Sequence, residues 1–129
     1  SIVVVAARMM TPHTAVLGRL PGTTTYRNVE RFAEAERTPG VEILRFDVSL
    51  SYLNVEFLKR RVHRLVAEAP TPTRALVLDA SGVNDIDTSA AEALAELVTE
   101  LGEQGIAVHL AAQVVAETHQ QATVIVMYI

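Results

Sequence analysis

The chain has 129 residues, of which half are hydrophobic and a fifth are charged, with a net charge of -4 and no cysteine. This length and composition fit one globular domain built on a single core. The negative charge argues against a protein that binds nucleic acid by neutralising phosphates, and the lack of cysteine excludes disulfides and thiolate metal sites. No stretch reaches the roughly 18 to 20 apolar residues that span a bilayer.

The chain begins with a short apolar run, SIVVVAARMM, which is interrupted at Arg8. An apolar run that ends in a positive charge is typical of the cytoplasmic exit of a transmembrane helix, and it is equally compatible with an ordinary edge strand. We expect residues 1–11 to be a juxtamembrane linker that follows a transmembrane domain outside this chain. Residues 12–129 are expected to form the folded domain.

Two strands are predicted next, near Ala15–Leu20 and over Val41–Val48. The first is stopped by a Pro-Gly pair and the second is preceded by one, which are strong turn signals, and we expect the two strands to pair antiparallel. The hydrophobic period then changes to that of a helix over Tyr52–Glu68. The run at Ala75–Leu78 has no alternation, as in a strand buried on both faces, and this predicts a right-handed βαβ unit.

A second helix is predicted over Ser89–Glu103, with glycines at its end, and IAVHLAA follows as a strand. The tail VVAETHQQATVIVMYI is interpreted as one short helix and a closing strand. The predicted order is therefore β-β-α-β-α-β-α-β. It corresponds to an α/β fold with a mixed, mostly parallel β-sheet and helices packed against it.

A polar loop leaves the buried strand and leads into the second helix. In open α/β sheets, ligands bind outside the carboxyl ends of the strands, where this loop lies. The candidate residues for phosphorylation or for contact with a partner are Asp79, Ser81, Asp85, Asp87, Thr88 and Ser89.

Ser89 has two interpretations. With Glu92 it fits a capping box, so that Ser89 or Thr88 would cap the helix. The amides and partial positive charge at a helix N-terminus also accommodate a phosphate, so the same position would suit a phosphorylation switch at Ser89.

The three aspartates of the loop could instead gather around a hard cation, as in a response-regulator receiver. A receiver needs a second acidic pair after the first strand, and the sequence has none. We therefore expect no metal site, and we expect Asp79 to brace the loop by accepting hydrogen bonds from backbone amides. Motifs of nucleophilic or metal-dependent catalysis are also absent, so we predict no catalytic residues.

The first predicted helix carries a basic run, KRRVHR, opposite its apolar stripe. Such a run is most often a solvated helix face. The alternative is contact with anionic lipid headgroups or with the phosphates of a nucleotide. The candidate contacts are Lys59, Arg60, Arg61 and Arg64.

Three segments resemble the STAS domain of bacterial SulP-family anion transporters, the sulfate permease type. VLGRLPGTTTYRNVER resembles the family pattern V-L-G-R-x-P-G-T-x-x-Y-R-x-x-E-R. PGVEILRFDVSLSYLNVEF resembles P-G-x-x-I-x-R-x-D-x-x-L-x-F-x-N-x-x-x-F, with Asn54 at the matching position and Phe57 one residue before the last phenylalanine of the pattern. VLDASGVNDIDTSAAEAL resembles D-x-S-x-V-x-x-I-D-x-S/T-x-x-x-x-L. The resemblance runs from Thr11 to Ala112, and the tail departs from the family pattern.

The resemblance implies the STAS fold and a non-catalytic regulatory and assembly domain of a secondary transporter for sulfate, bicarbonate or a dicarboxylate. It places the domain on the cytoplasmic side of the inner (plasma) membrane, in one polypeptide with its transmembrane domain. A nucleotide, a cytoplasmic protein and a second copy of the transporter are the further partners that it implies. Nucleic acid is not among them.

An alternative with the same fold is a free-standing anti-sigma-factor antagonist switched by phosphorylation. Ser89 occupies the place of the serine phosphorylated in those proteins and Thr88 the place before it, while Ala90 replaces a glycine of the D-S-S-G-like loop. The VLGR segment is absent from the free-standing proteins, which favours the transporter domain.

Overall fold

The computed structural model of the chain describes residues 1–114 and 123–128, with only the backbone described for 6–9, 112–114 and 123–128. The described elements, in chain order, are α1 (Ile2–Met10), β1 (Thr14–Arg19), β2 (Tyr26–Asn28), β3 (Val41–Phe46), α2 (Val55–Glu68), β4 (Ala75–Asp79), α3 (Thr88–Glu103), β5 (Ala107–Val114) and β6 (Thr123–Tyr128).

The strands form one mixed sheet in the order β2-β1-β3-β4-β5-β6. The three central strands β3, β4 and β5 are parallel, and β1, β2 and β6 join them antiparallel. This arrangement confirms the predicted α/β class, the antiparallel pairing of the first two predicted strands and the βαβ unit.

The predicted order of elements needs two corrections. The predicted order omits the helix α1 and the strand β2. β2 has only three residues and shows no hydrophobic alternation. β2 exists because the turn at Pro21-Gly22, where Gly22 has φ +73°, folds the chain back onto the end of β1. The closing strand is confirmed as β6, and the helix predicted before it falls mainly on residues 115–122, outside the described residues.

The main core lies between the sheet and the helices α2 and α3, which pack on the same face. Alternate residues of the parallel strands point to this face, and the apolar stripes of both helices meet them. Each fully buried leucine contributes on the order of 2 kcal/mol to stability. The largest fully buried apolar side chains are Leu44, Leu58, Val62, Leu76, Leu97 and Leu101.

One carboxylate is buried on this face. Glu42 of β3 follows the same alternation as Leu44, so its side chain points towards the helices and is only 5% exposed. Arg37 Nη2 donates a hydrogen bond to Glu42 Oε2 over 2.6 Å, and 35% of the Arg37 side chain is exposed to solvent. The arginine therefore connects a buried negative charge to the surface.

The first residues of the chain form a helix, so the alternative of an edge strand at residues 1–10 is wrong. Part of the reason is that Ala, Arg and Met, which fill the second half of the run, are good helix formers. Ile2 and Val3 are 89% and 77% exposed. Within residues 1–114, no helix is both long and apolar enough to cross a membrane.

Gly18 in the VLGR segment has a packing reason to be a glycine. Arg19 and Glu36 exchange two backbone hydrogen bonds of 2.9 Å, which bring the Glu36 backbone close to β1. A Cβ on Gly18 would lie 2.9 Å from the carbonyl carbon and oxygen of Glu36, closer than real Cβ contacts. The glycine thus permits the segment after β2 to lie against the sheet.

Candidate functional site

Two loops meet at the carboxyl ends of the parallel strands. Residues 47–54 connect β3 to α2, and residues 80–87 connect β4 to α3. Leu50 donates its backbone N–H to Asp85 O at 2.9 Å, and Asp87 donates its backbone N–H to Leu50 O at 3.0 Å. We call these two loops, with the first turn of α3, the carboxyl-edge site.

Asp87 holds the two loops together and begins α3. Its Oδ1 accepts a hydrogen bond from the backbone N–H of Ala90 at 2.8 Å, and its Oδ2 accepts one from the N–H of Tyr52 at 3.0 Å. Its own backbone is extended, with φ -77° and ψ 168°, as expected for an N-cap. A negative charge here is also favourable to the helix dipole.

The predicted capping by Ser89 or Thr88 is therefore wrong. Thr88 and Ser89 already belong to the first turn of α3, so neither has the extended backbone of a cap, and Asp87 supplies the capping oxygen instead. Both hydroxyl-bearing side chains are exposed. Ser89 therefore lies in the first turn of α3, two residues after Asp87, whose carboxylate caps the helix.

The other polar residues of the loop after β4 are engaged locally. Asp79 Oδ1 accepts hydrogen bonds from the N–H of Ser81 at 3.1 Å and from its hydroxyl at 2.6 Å, which confirms the predicted bracing role of Asp79. Asp85 Oδ1 accepts from the N–H of Ile86 at 2.9 Å. Among the described residues, no group of three His, Asp or Glu side chains is arranged to hold a metal ion.

The loop after β3 is fixed by a buried amide that the site prediction did not include. Asn54 is 2% exposed, accepts a hydrogen bond from the N–H of Ser51 at 2.9 Å and donates one to Ser49 O at 2.8 Å. Asn54 matches the family pattern, and this was the available signal that it has a structural role. Its bonds hold the loop in the shape that presents Tyr52 to Asp87.

A charged pair on the helix-free face of the sheet borders the site and was also missed. Arg45 Nε donates to Asp47 Oδ1 at 2.7 Å, and His13 Nδ1 lies 3.7 Å from Asp47 Oδ2. The hydrogen bond to Asp47 raises the pKa of the Arg45 guanidinium, which partial burial opposes, and the charges of Asp47 and Asp79 raise it further. Arg45 therefore stays protonated at any physiological pH.

Gly82 connects that pair to the carboxyl-edge site. A Cβ on Gly82 would lie 2.6 Å from Asp47 Oδ1, so any larger residue would displace the carboxylate from Arg45. The sequence did contain a signal for the Arg45–Asp47 pair. Asp47 directly follows β3, much as Asp79 stands at the end of β4.

The basic run on α2 does not form one exposed face. Lys59 is mostly buried, and its Nζ lies 3.9 Å from Glu56 and 3.8 Å from Glu96. Arg61 is half-buried and its Nε donates to Thr14 Oγ1 at 3.3 Å. The prediction that all four cations lie opposite the apolar stripe is corrected, because Lys59 and Arg61 flank the stripe. Only Arg60 and Arg64 of the four are exposed.

Apolar side chains are exposed next to the polar loops. Tyr52 is 68% exposed, and Leu53 and Ile86 are about half as exposed. An aromatic and aliphatic centre with a polar rim is the composition of a protein contact surface. The site thus combines loops joined by hydrogen bonds with exposed hydroxyls and exposed apolar side chains.

The profile of the STAS domain family matches residues 32–124 of the chain. "High affinity sulfate transporter 2" of Stylosanthes hamata is 38% identical over 108 residues, covering 78% of this chain and 16% of that protein. A probable sulfate transporter of Mycobacterium tuberculosis is 34% identical over 106 residues, covering 82% of this chain and 19% of that protein. The chain thus spans less than a fifth of the length of these relatives.

Among solved structures, the murine Solute Carrier 26 family member A9 anion transporter in its inward-facing state superposes with a TM-score of 0.79 and 25% identity. The match covers 90% of this chain and 18% of that one. The matched residues 32–124 include both loops of the carboxyl-edge site and the parallel strands β3, β4 and β5 that carry it. The chain belongs to the STAS domain family.

Proposed function

We propose that the chain is the regulatory and assembly domain of a SulP-type secondary anion transporter, and that it has no catalytic activity. The observation that carries this proposal is that the sulfate transporters it matches contain the matched segment as a small share of their length. The remainder of such a polypeptide would contain the membrane path for sulfate, bicarbonate or a dicarboxylate. The domain would lie on the cytoplasmic side of the inner (plasma) membrane.

In this role the carboxyl-edge site is the docking surface. Asp87 and Asn54 fix the two loops, and Tyr52, Leu53 and Ile86 offer apolar contact area. The proposed partners are the transmembrane domain of the same polypeptide, a cytoplasmic protein, a nucleotide, and a second copy in a dimeric transporter.

Uptake by the whole polypeptide tests the proposal. Expressed in a bacterial strain without its own sulfate uptake, it should take up labelled sulfate, bicarbonate or a dicarboxylate. Asp87→Ala should reduce that uptake, because it releases the two loops from each other. Glu103→Ala makes the same change of charge at the exposed far end of α3, outside the carboxyl-edge site, and should leave uptake unchanged. If none of the three anions is taken up, or if deletion of residues 12–129 leaves uptake intact, the proposal is wrong.

A second candidate is a partner-switching antagonist controlled by phosphorylation at Ser89. The observation that favours it is the exposed position of Ser89 in the first turn of α3, where its hydroxyl is not needed as a cap. The helix N-terminus would accommodate the phosphate, while the carboxylate of Asp87 would repel it. Phosphorylation would therefore act mainly by releasing a partner bound at this loop. Mass spectrometry of the chain isolated from its own cells tests this candidate, since unmodified Ser89 under all growth conditions argues against it.

We also propose contact with anionic lipid through the exposed Arg60 and Arg64. Each basic residue near an anionic surface contributes about 1 kcal/mol at low salt, and the attraction is screened as salt is added. Arg60→Gln with Arg64→Gln should therefore reduce cosedimentation with phosphatidylglycerol vesicles in low salt. Arg61→Gln, whose side chain bonds to Thr14, serves as the control and should bind nearly as the parent chain does.

A further inference from the structure

A pocket of about 200 Å³ lies on the helix-free face of the sheet, at the edge formed by β1, β2 and β3. The basic side chains of its lining are Arg27, Arg31, Arg45 and His13. Asp47 is the one carboxylate among the described residues that line it. The pocket lies away from the exposed arginines of α2, on the opposite face of the sheet from the helices.

The charges in this pocket do not balance. Asp47 is already engaged, with Arg45 Nε at 2.7 Å and His13 Nδ1 at 3.7 Å. Among the side chains that the structure describes, no carboxylate oxygen lies within 4.0 Å of the guanidinium of Arg27 or Arg31. Two guanidinium groups are therefore left without a counter-charge, in a chain whose net charge is -4.

Packing does not explain these residues either. Arg27 and Arg31 are exposed, and so is the neighbouring Tyr26 at 43%. All three belong to the segment that carries the family pattern, so the pattern specifies polar side chains on an exposed surface. Exposed side chains that are specified in this way are more often used for binding than for stability.

We propose that this pocket binds a small tetrahedral oxyanion, sulfate or phosphate, between Arg27 and Arg31. A guanidinium donates paired hydrogen bonds to two oxygens of such an anion, which makes arginine better suited to it than lysine. The Arg45–Asp47 pair closes one side of the pocket and contributes no net charge. Pockets for drug-sized ligands enclose about 300 to 1,000 Å³, so the size favours an inorganic anion over a nucleotide.

The site also lies close to the loops that the proposed function uses. Gly82 of the carboxyl-edge site packs against Asp47, whose carboxylate borders the pocket. An anion bound at Arg27 and Arg31 would thus sit one side chain away from the loop after β4. The inference itself does not depend on transport, because it concerns binding by this chain alone.

Titration calorimetry of the 129-residue chain tests the proposal, with sodium sulfate or sodium phosphate added at constant ionic strength against sodium chloride. The parent chain should bind one anion saturably. Arg27→Gln with Arg31→Gln should weaken binding about tenfold or more, because both charge-assisted contacts are lost. Arg19→Gln with Arg74→Gln makes the same change of net charge outside the lining of the pocket and should stay within about twofold. Circular dichroism of each variant checks the fold.

The results distinguish specific binding in the pocket from general electrostatic attraction. They also distinguish a free oxyanion from a lipid headgroup. Equal weakening by the two double variants, or no saturable binding at constant ionic strength, would overturn the proposal. Phosphatidylglycerol vesicles distinguish the source of the oxyanion. Vesicle binding that depends on Arg27 and Arg31, without binding of free sulfate or phosphate, would assign the pocket to a lipid headgroup and overturn the proposal as stated.

Discussion

Replacing Arg37 by methionine should lower the free energy of unfolding much more than replacing its partner Glu42 by methionine. Arg37→Met leaves a buried carboxylate without its cation, and breaking a buried pair in this way costs about 3 to 5 kcal/mol. We expect a value near the lower end of that range, because 35% of the Arg37 side chain is already in water. Urea unfolding followed by circular dichroism measures the difference.

The opposite variant and the double variant serve as controls. Glu42→Met leaves an arginine that can turn into solvent, so its cost should be about 1 to 2 kcal/mol. Arg37→Met with Glu42→Met replaces the pair by apolar groups and should lie within about 1 kcal/mol of the parent chain. Additive effects of the two single variants would show that the 2.6 Å contact contributes little to stability.

The fold could be predicted from the sequence wherever the hydrophobic pattern was strong. The stripe of α2, from Val55 to Leu65, and the buried run of β4 define their elements because packing against one core imposes their periods. The first ten residues were left open between the end of a transmembrane helix and an edge strand, because a short β-branched run has no period that separates helix from strand. β2 was missed because a turn, and not a hydrophobic face, creates it.

The loop that holds the candidate residues lies where the sequence predicted, between β4 and α3, but the cap of α3 was predicted wrongly. Serine and aspartate both cap helices, and a pattern of single letters does not fix the residue at which the backbone becomes helical. The structure places that point at Thr88, so Asp87 is the cap. The bond from Tyr52 to Asp87 spans 35 residues, and such contacts follow from tertiary structure and not from local spacing.

The basic run of α2 is a second case in which tertiary contacts could not be predicted from local spacing. Its residues follow one another on α2, and the helical period placed them together on the polar face. Lys59 reaches Glu96 on α3, and Arg61 reaches Thr14 near β1. Contacts with neighbouring elements therefore remove two cations from the surface that the pattern assigned to them, and they leave Arg60 and Arg64 for a partner.

Asp87→Ala should destabilise the chain by about 1 to 3 kcal/mol, because it removes a helix cap and a second bond between the two loops. Its carboxylate oxygens accept separate bonds, from Ala90 N–H at 2.8 Å and from Tyr52 N–H at 3.0 Å. Asp87→Asn has a single side-chain oxygen and should retain only one of these bonds, so its cost should be intermediate. Amide hydrogen exchange at Ala90 and Tyr52 reports each bond separately, and both amides should exchange faster in Asp87→Ala.

The contrast with Ser89→Ala and Asp85→Ala makes this prediction specific. Ser89 is exposed in the first turn of α3, and the Asp85 carboxylate bonds only to the adjacent amide of Ile86 among the described residues. Each of these substitutions should change stability by less than about 0.5 kcal/mol, as surface changes usually do. A loss for Ser89→Ala equal to that for Asp87→Ala would restore Ser89 as the cap. A small loss for Asp87→Ala with unchanged exchange at Tyr52 would mean that the two loops hold their positions without this carboxylate, and the docking role proposed for them would then need a different anchor.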